Sequence, residues 1–595
     1  MIYTKDHKTL NMFDPLDHLG PKRRKLLEQS WSFLFRREIL SNLPVDQILP
    51  YYASDNGAPT KELYSMLGLM LLQQSFDLTD KEAIKQFAFN FEWHYALGIK
   101  DESDKSTYVS EKTLWNTRHL LTENDLYQSL FDIPTRQLAD LCGVDPSRQR
   151  LDSVHIFSNM RHLGRIGLFV RTIKKFLQYL KRHHPGTSGF GRLEKSLRDR
   201  YLSKEESSVF SMVKPSETPK TMQNLAEDLF SIIRCYRDDP KVTSMKYYKL
   251  MLRLLKEQCI VGNEQDDGEK ITIKPNREVP SDSLQNPSDP DATYDGHKGK
   301  GYQVQVAETY RTGDEAPALS LITHINVEPA HHHDSEALVP AIERTKKMGF
   351  APKQMLADAA YGSDENHQQA AGHQVELIAP VPGKEPKIPI GLTEFKFSDK
   401  GKMIACPLGY APIKLRNNKK SCSVFFDRKI CSACTQFDQC PVKEGTRGCC
   451  IRFNQKQLRT AKRRALETTP EFKNLYRYRS GIEATFSEFD RKTGVKHLRF
   501  RGLKKVTFCA TLKAAGINLF RANAFINRKN SDEPGPNRTF SLLLHTFEVF
   551  KNTINRFQHG FVDRFKKIHF SERESFKISI QLDFKGFEFL RCHHF

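Results

Sequence analysis

The chain has 595 residues, 38% of them hydrophobic, with a formal net charge of +21 and a pI near 9.3. At about 150 residues per domain this length holds roughly three to five domains, and the charge points to a polyanionic partner, nucleic acid being the commonest. The most apolar window, Met66 to Leu72, is too short to cross a bilayer. The opening MIYTKDHKTLNMF is charged and lacks an apolar run, so neither a spanning nor a secreted protein is expected.

Residues 1–30 read as a polar N-terminal arm with a basic cluster at Lys22, Arg23, Arg24 and Lys25. From 31 to 146 the pattern is helical. Thr79 with Glu82 makes a capping box, and Gly98 is a stop. Ser110 opens the run EKTLWNTRHLL, and Thr122 opens another. Interleaved aromatic and basic residues suit a DNA-binding domain, since helices are the usual readers of duplex; a plain helical cap is the alternative.

Residues 147–162 hold a β-prone segment, RQRLDSVHIFSNM, read as the first core strand with Asp152 inside it. A carboxylate in such a segment costs free energy unless it serves a metal or a hydrogen bond; an edge or turn aspartate is the other reading. Residues 163–262 return to helical periodicity as an insertion, and 263–296 are rich in Asp, Pro, Ser and Asn, as in a linker. Within 297–383, GYQVQVAETYR alternates cleanly and ALSLITHINVEPA follows a TGDEAP turn, so the two form a hairpin with His297, Lys298 and Lys300 at its mouth. A helix (SEALVPAIERTKKM) with Asp334 as its cap comes next. KQMLADAAYGSDEN then places Asp358 after a short apolar run, and VELIAPV supplies a further strand. This order predicts an α/β chain with a ribonuclease H-like catalytic core, a mixed sheet flanked by helices with acids at neighbouring strand ends.

Between Asp358 and Glu483 lie 124 residues, too many for a loop, so 384–460 read as a small cysteine-rich insertion. Seven of the twelve cysteines fall between Cys406 and Cys450. Cys406 with Cys431-x2-Cys434-x5-Cys440 has the make-up of a four-thiolate zinc site, with Cys422, Cys449 and Cys450 as substitutes and reduced structural thiols as the alternative. Residues 461–528 carry YRYRSGIEATFSEFDRKTGVKHLRFRGLKK. At helical spacing Tyr476, Arg479 and Glu483 share one face, and Ile482, Phe486 and Phe489 share another. From Arg491 to Lys505 there are seven Lys or Arg and no acid, a strip suited to a phosphate backbone. Residues 529–595 are a tail with no assigned job.

Three of these segments, LDSVHIFSNM with Asp152, LADAAYGSDEN with Asp358 and YRYRSGIEATFSEF with Glu483, together resemble the DDE transposases of bacterial insertion sequences. The likeness is to the cut-and-paste group with a Tyr-x2-Arg-x3-Glu signature, and Tyr476, Arg479 and Glu483 match it residue for residue. GHKGKGYQVQVAE and the cysteine-bearing insertion look like one branch of that group. The resemblance covers roughly residues 30–525. The family pattern places a lysine seven residues after the glutamate; here that position is Asp490, and Lys492 stands two further on.

The resemblance implies phosphodiester cleavage at the ends of a mobile element, followed by joining of the freed 3′-OH to target DNA. It implies a pair of Mg2+ or Mn2+ ions held by Asp152, Asp358 and Glu483, with Asp152 bridging. Tyr476, Arg479, Lys492, Arg499, Arg501, Lys504, Lys505, His297, Lys298 and Lys300 would face DNA. The expected partner is double-stranded DNA, the expected assembly a homodimer or higher, and the expected place the cytoplasm with the nucleoid. Two rival readings are a ribonuclease H-like nuclease without strand transfer and a zinc-bearing DNA-binding regulator with a vestigial site.

Overall fold

The computed structural model describes residues 2–9 and 19–532, apart from 54–56, 187, 204–209, 211, 265–267, 314–318, 385–389, 399–400, 419 and 447. The expected tail, 529–595, thus lies outside the described residues from 533 onward.

The capping signals of the N-terminal third largely set its helices. Helix α1 (Leu63–Ser75) starts where the Glu62 carboxylate accepts the backbone N–H groups of Tyr64 and Ser65. Helix α2 (Asp80–Phe89) carries the expected capping box, with Thr79 and Glu82 bonded reciprocally. Ser110 caps α3 (Glu111–Glu123) through the N–H of Thr113. Thr122 does not open the next helix; it sits in the last turn of α3 and donates to the Arg118 carbonyl at 2.7 Å. The break comes later, at Asp125, whose φ of +53° leaves the helical region, so α4 spans Tyr127–Cys142 and ends at Gly143 in a left-handed conformation.

Strand β1 (Arg148–Phe157) follows. The helical insertion then forms from α5 (Arg165–His183), α6 (Thr218–Tyr236) and α7 (Lys246–Gln258). Their apolar stripes close a core of their own around Phe169, Phe176, Leu229, Tyr236, Tyr248 and Leu254. The stretch expected as a linker is only partly one. It begins inside a hairpin of β2 (Cys259–Glu264) and β3 (Gly268–Ile273), because Ile271 alternates into the core of the insertion.

The remaining sheet strands are β4 (Thr293–Asp295), β5 (Gly299–Thr309), β6 (Ile322–Pro329), β7 (Gln354–Ala357) and β8 (Glu376–Ile378), with α8 (Leu338–Lys347) between β6 and β7 and α9 (Asp364–Gly372) between β7 and β8. Strand β5 is central to the pairing. One edge runs antiparallel to β1 from Gln149↔Thr309 to Phe157↔Gly301; the other edge takes first β4 and then β6. Beyond β1 the sheet turns parallel, β1 to β7 and β7 to β8. The antiparallel β5–β6 pair is the hairpin expected from the sequence, and the parallel β7–β8 pair is joined through α9, as parallel pairing requires.

The cysteine-rich insertion has a four-stranded antiparallel sheet, β11 (Lys414–Asn417), β12 (Cys422–Phe426), β14 (Gly448–Phe453) and β13 (Lys443–Gly445) in spatial order, and a short pair, β9 (Lys396–Phe397) with β10 (Met403–Ala405). Its core gathers Met403, Val424, Phe426, Ile451 and Phe453. Helices α10 (Gln455–Glu467) and α11 (Pro470–Tyr476) lead to a 3-10 turn at Arg477–Ser480 and then to α12 (Gly481–Thr493). Helix α13 (Leu503–Asp532) runs almost wholly buried from Val506 to Ala522.

The helices expected as a separate domain at 31–146 share one hydrophobic core with the sheet, α12 and α13. Gly516 of α13 sits so close to Ser75 of α1 that a Cβ there would collide with the serine hydroxyl. Pattern reading places an apolar face on each of these helices but not the partner that covers it.

Candidate active site

Leu151 of β1 and Ala357 of β7 are the last paired residues of the two parallel strands, so Asp152 and Asp358 follow side by side on the next step of the register. Side chains alternate along a strand, so Asp152 shares a face with Arg150, Val154 and Ile156; Val154 and Ile156 pack in the core that also holds Ile482, Phe486 and Phe489 of α12. The carboxylate face of the sheet is therefore the face that α12 covers.

Asp152 is 8% exposed. Burial pushes its carboxyl up to about 6, against the pull of Arg479, and the charges of Asp358 and Asp334 push the same way. The Ser153 N–H donates to its Oδ1 at 2.8 Å. Asp358 ends β7 by capping the turn Ala359–Tyr361, its Oδ1 accepting from the Ala360 N–H at 2.9 Å. Glu483 lies in the first turn of α12 with its side chain 67% exposed. Arg479 ties it to the sheet: one guanidinium nitrogen donates to Glu483 Oε1 at 3.0 Å and the other to Asp152 Oδ2. An Arg–Glu pair at this spacing on an exposed helix contributes only about 0.3–0.5 kcal/mol. Here the same arginine also meets a buried carboxylate and brings the glutamate's helix to it. Tyr476 stacks on Phe472 with ring centroids 5.5 Å apart, and burial raises its hydroxyl above the ordinary tyrosine value.

What anchors α12 was not read from the sequence. Glu308, the one acid of GYQVQVAE, is fully buried beneath the helix. Arg150 donates to it at 2.7 Å and Arg521 of α13 at 2.9 Å, and Thr485 of α12 donates its hydroxyl to both oxygens. Arg150 also bonds the Tyr478 carbonyl in the turn that carries Arg479. The available signal was a charged residue in an otherwise apolar, alternating strand, which demands buried partners.

The expected DNA-facing cations are unevenly free. Lys492 pairs with Glu488 at 2.7 Å and lies over the Phe520 ring. Arg499 pairs with Asp77 at 3.1 Å, Lys504 with Glu123 at 3.3 Å, and Arg501 donates to the Asn159 side chain at 2.7 Å. Lys300 is turned inward and donates to the Leu163 carbonyl at 3.0 Å. Lys505 and His297 are exposed. Lys298 reaches Ser153 Oγ at 3.2 Å and lies 3.8 Å from Asp334. The basic strip thus serves partly as the seam between the sheet and the N-terminal helices.

The expected zinc ligands gather on one wall of the insertion, where Cys406, Cys431, Cys434 and Cys440 line a common cavity. Cys449 joins them from β14. Burial first, and then the neighbouring thiols of Cys449, Cys440 and Cys406, push the Cys431 thiol up to about 12. Among the described residues no three His, Cys, Asp or Glu side chains already stand around one ion position. At the acidic site Glu483 is turned to Arg479 instead. The donor chemistry nevertheless fits: Asp152, Asp358 and Glu483 offer only hard carboxylate oxygens, one of them desolvated and calling for positive charge, as a divalent cation such as magnesium requires.

Among the described residues no helix is long and apolar enough to cross a membrane. No curated protein matches the chain. Two family models do match. Residues 405–522, which include Glu483 but neither Asp152 nor Asp358, match a transposase DDE domain, and residues 21–120 match a transposase domain. Together the two matches indicate an insertion-sequence DDE transposase.

Proposed function

We propose that this chain binds the terminal inverted repeats of its element, cleaves phosphodiester bonds at the element ends and joins the freed 3′-OH to target DNA. The observation that carries the reading is the placement of Asp152 and Asp358 on adjacent parallel strand ends, with Glu483 tied to Asp152 through Arg479. The strand order, with β5 antiparallel to β1 and β7 and β8 parallel to it, supports a ribonuclease H-like core.

Asp152, Asp358 and Glu483 would hold Mg2+ or Mn2+, two ions in the full site, which when bound supply Lewis acidity to the attacking and leaving oxygens. The carboxylates, two of them fixed on adjacent strand ends, set where positive charge gathers at the site and so where the scissile phosphate would sit. Arg479, already between two of them, has its Nε buried without a partner among the described residues, and its charge offsets that of the phosphate. Tyr476 bounds the same face and packs against the strand beside the cut. In the first step water attacks phosphorus, the P–O bond to the 3′ oxygen breaks, and a 3′-OH is freed. In the second, that hydroxyl attacks a target phosphodiester; one P–O bond forms as another breaks, so no outside energy source is needed.

The N-terminal helices, Lys298, Arg501 and Lys505 contribute the backbone contacts, and two copies or more bring two ends together. Cys406, Cys431, Cys434 and Cys440 hold one structural zinc ion in the insertion. The deciding experiment supplies labelled end DNA, uncut with its flank in one set and pre-cut in another, and supercoiled target with Mg2+. Joined product supports the transposase. Cleavage without joining gives the nuclease reading, and sequence-specific binding without cleavage gives the regulator.

A further inference from the structure

The helical insertion takes no part in the chemistry proposed for the carboxylates, yet its charge is one-sided. Between Asp152 and Glu194 the chain has eight Lys or Arg and no acid. Helix α5 buries Phe169, Ile173, Phe176 and Leu180, and so turns Arg171, Lys175 and Gln178 the opposite way. Lys175 extends over the ring of Tyr247 on α7, 5.6 Å from its centroid. Tyr179, one turn further along α5, packs on the same ring at 5.4 Å, and Lys246 stands exposed next to Tyr247 in the chain. The ion pairs of the insertion among the described residues are Arg200–Asp228, Arg237–Asp238 and Arg253–Glu257, and they leave Arg171, Lys175 and Lys246 out. This face joins the basic strip. Asn159, in the segment between β1 and α5, donates to the Arg499 carbonyl at 3.0 Å and accepts from Arg501 Nε at 2.7 Å. Burial, and then the charges of Arg171, Lys246 and Arg501, hold the Lys175 ammonium below the ordinary lysine value. Cations gathered like this repel one another and oppose folding, and a polyanion laid across them reverses the sign.

We propose that Arg171, Lys175 and Lys246, set on the Tyr179–Tyr247 pair, form a docking surface for the phosphate backbone of the element-end duplex, continuing the path that Arg501 begins. The inference rests on the DNA-binding reading given under the proposed function and extends it to a part of the chain that neither family match covers. The end duplex is the occupant because the surface is continuous with Arg501, which contacts that duplex in the proposed reading. Its contacts are to phosphates, so they position the duplex and read no sequence.

The test follows binding of the full chain to a labelled duplex of the element end, with its flank, across a salt series. One variant combines Arg171→Gln, Lys175→Gln and Lys246→Gln. A control combines Lys220→Gln, Arg234→Gln and Lys241→Gln, which removes three exposed cations elsewhere in the insertion. The first variant should flatten the slope of log affinity against log salt by up to three steps of roughly 0.9 each, and the control should keep the wild-type slope. Without DNA, the unfolding temperature of the first variant should hold or rise, because like charges have been removed from one another. A wild-type slope in the first variant makes this a solvated face and overturns the proposal. Equal flattening by the control, a matter of bulk charge, overturns it too, as does an unfolding temperature that falls along with affinity. Flattening with unrelated target duplex but not with the end gives the surface to target DNA and overturns its assignment to the end. A wild type that does not bind the end duplex overturns the DNA-binding reading itself, and this surface with it.

Discussion

Asp152 and Asp358 leave the sheet together, each one residue past the last pair, Leu151 and Ala357, that joins their parallel strands. Their closeness is built into hydrogen-bond register rather than into a loop, so it does not depend on a bound ion. Like charges held this way are costly to bury, and burial sets Asp152's carboxyl near 6 instead of 3.8.

A pH-dependent stability follows from that shift. The folded chain keeps a proton on Asp152 that the unfolded chain releases, so the cost of the charged form is complete above about pH 6 and fades as pH falls toward 4. In chelator at pH 8, Asp152→Asn should therefore unfold at a higher temperature than the wild type, and the two should converge near pH 4. A variant less stable than the wild type at pH 8 would show that the bond to Arg479 outweighs the burial cost.

Glu308 makes the opposite case, a buried acid between two partly buried arginines. Replacing one member strands the others, which typically costs about 3–5 kcal/mol. Glu308→Gln should lower the unfolding free energy by that order in urea and loosen α12 from the sheet, because one acceptor oxygen becomes an NH2 donor facing Arg150, Arg521 and the Thr485 hydroxyl. End cleavage should fall with it, although Glu308 touches no substrate.

The basic strip should divide into two groups in a salt titration of DNA binding. Removing one cation from a DNA phosphate flattens the slope of log affinity against log salt by roughly 0.9. Lys505 is exposed and Arg501 bonds a neutral side chain, so Arg501→Ala with Lys505→Ala should flatten the slope by nearly two such steps. Arg499→Ala with Lys504→Ala should change it less, since both cations already face carboxylates, Asp77 and Glu123. Equal slopes for the two pairs would mean that DNA displaces those ion pairs.

The thiol cluster predicts about one zinc per purified chain. Cys431→Ser should remove the metal and lower the unfolding temperature of the insertion. Cys449→Ser is the discriminating variant, because Cys449 lies beside Cys431 yet falls outside the CxxC pattern. Retained zinc in Cys449→Ser keeps the four ligands as spaced in the sequence, and loss of zinc brings Cys449 into the set.

Much of this candidate site could be proposed from the sequence because its parts are local. A β-prone run around Asp152, a short apolar run before Asp358 and a two-faced helix around Glu483 each declare themselves within a dozen residues. Their order along the chain also announced the sheet. What the sequence withheld is long-range. Glu308 meets Arg521 across 213 residues and Asp334 meets Gln305 across 29, and neither partner is marked by spacing. The mixed role of the basic strip was hidden for the same reason, since Asp77 lies 422 residues before Arg499. Helix boundaries failed where a single backbone angle decided them, as at Asp125.

The sharpest check on the proposed role of α12 compares Glu483 with Glu488, five residues and about 140° further round the helix axis. Glu483 is mostly exposed and is held by Arg479, so Glu483→Ala should leave the unfolding temperature nearly unchanged while abolishing end cleavage and joining. End binding should survive, because it draws on basic contacts elsewhere. Glu488 faces the other way, but it is not idle: its two oxygens accept from Lys492 at 2.7 Å and from Arg521 at 2.8 Å. Glu488→Ala should keep cleavage per folded molecule while lowering stability, since Arg521 is then left with Glu308 as its one carboxylate partner among the described residues. Adding Asp152→Ala or Asp358→Ala to Glu483→Ala should cost no further activity, as ligands of one site act as a unit. An inactive, stable Glu488→Ala beside a cutting Glu483→Ala would mean that the catalytic register of α12 is shifted by more than a turn.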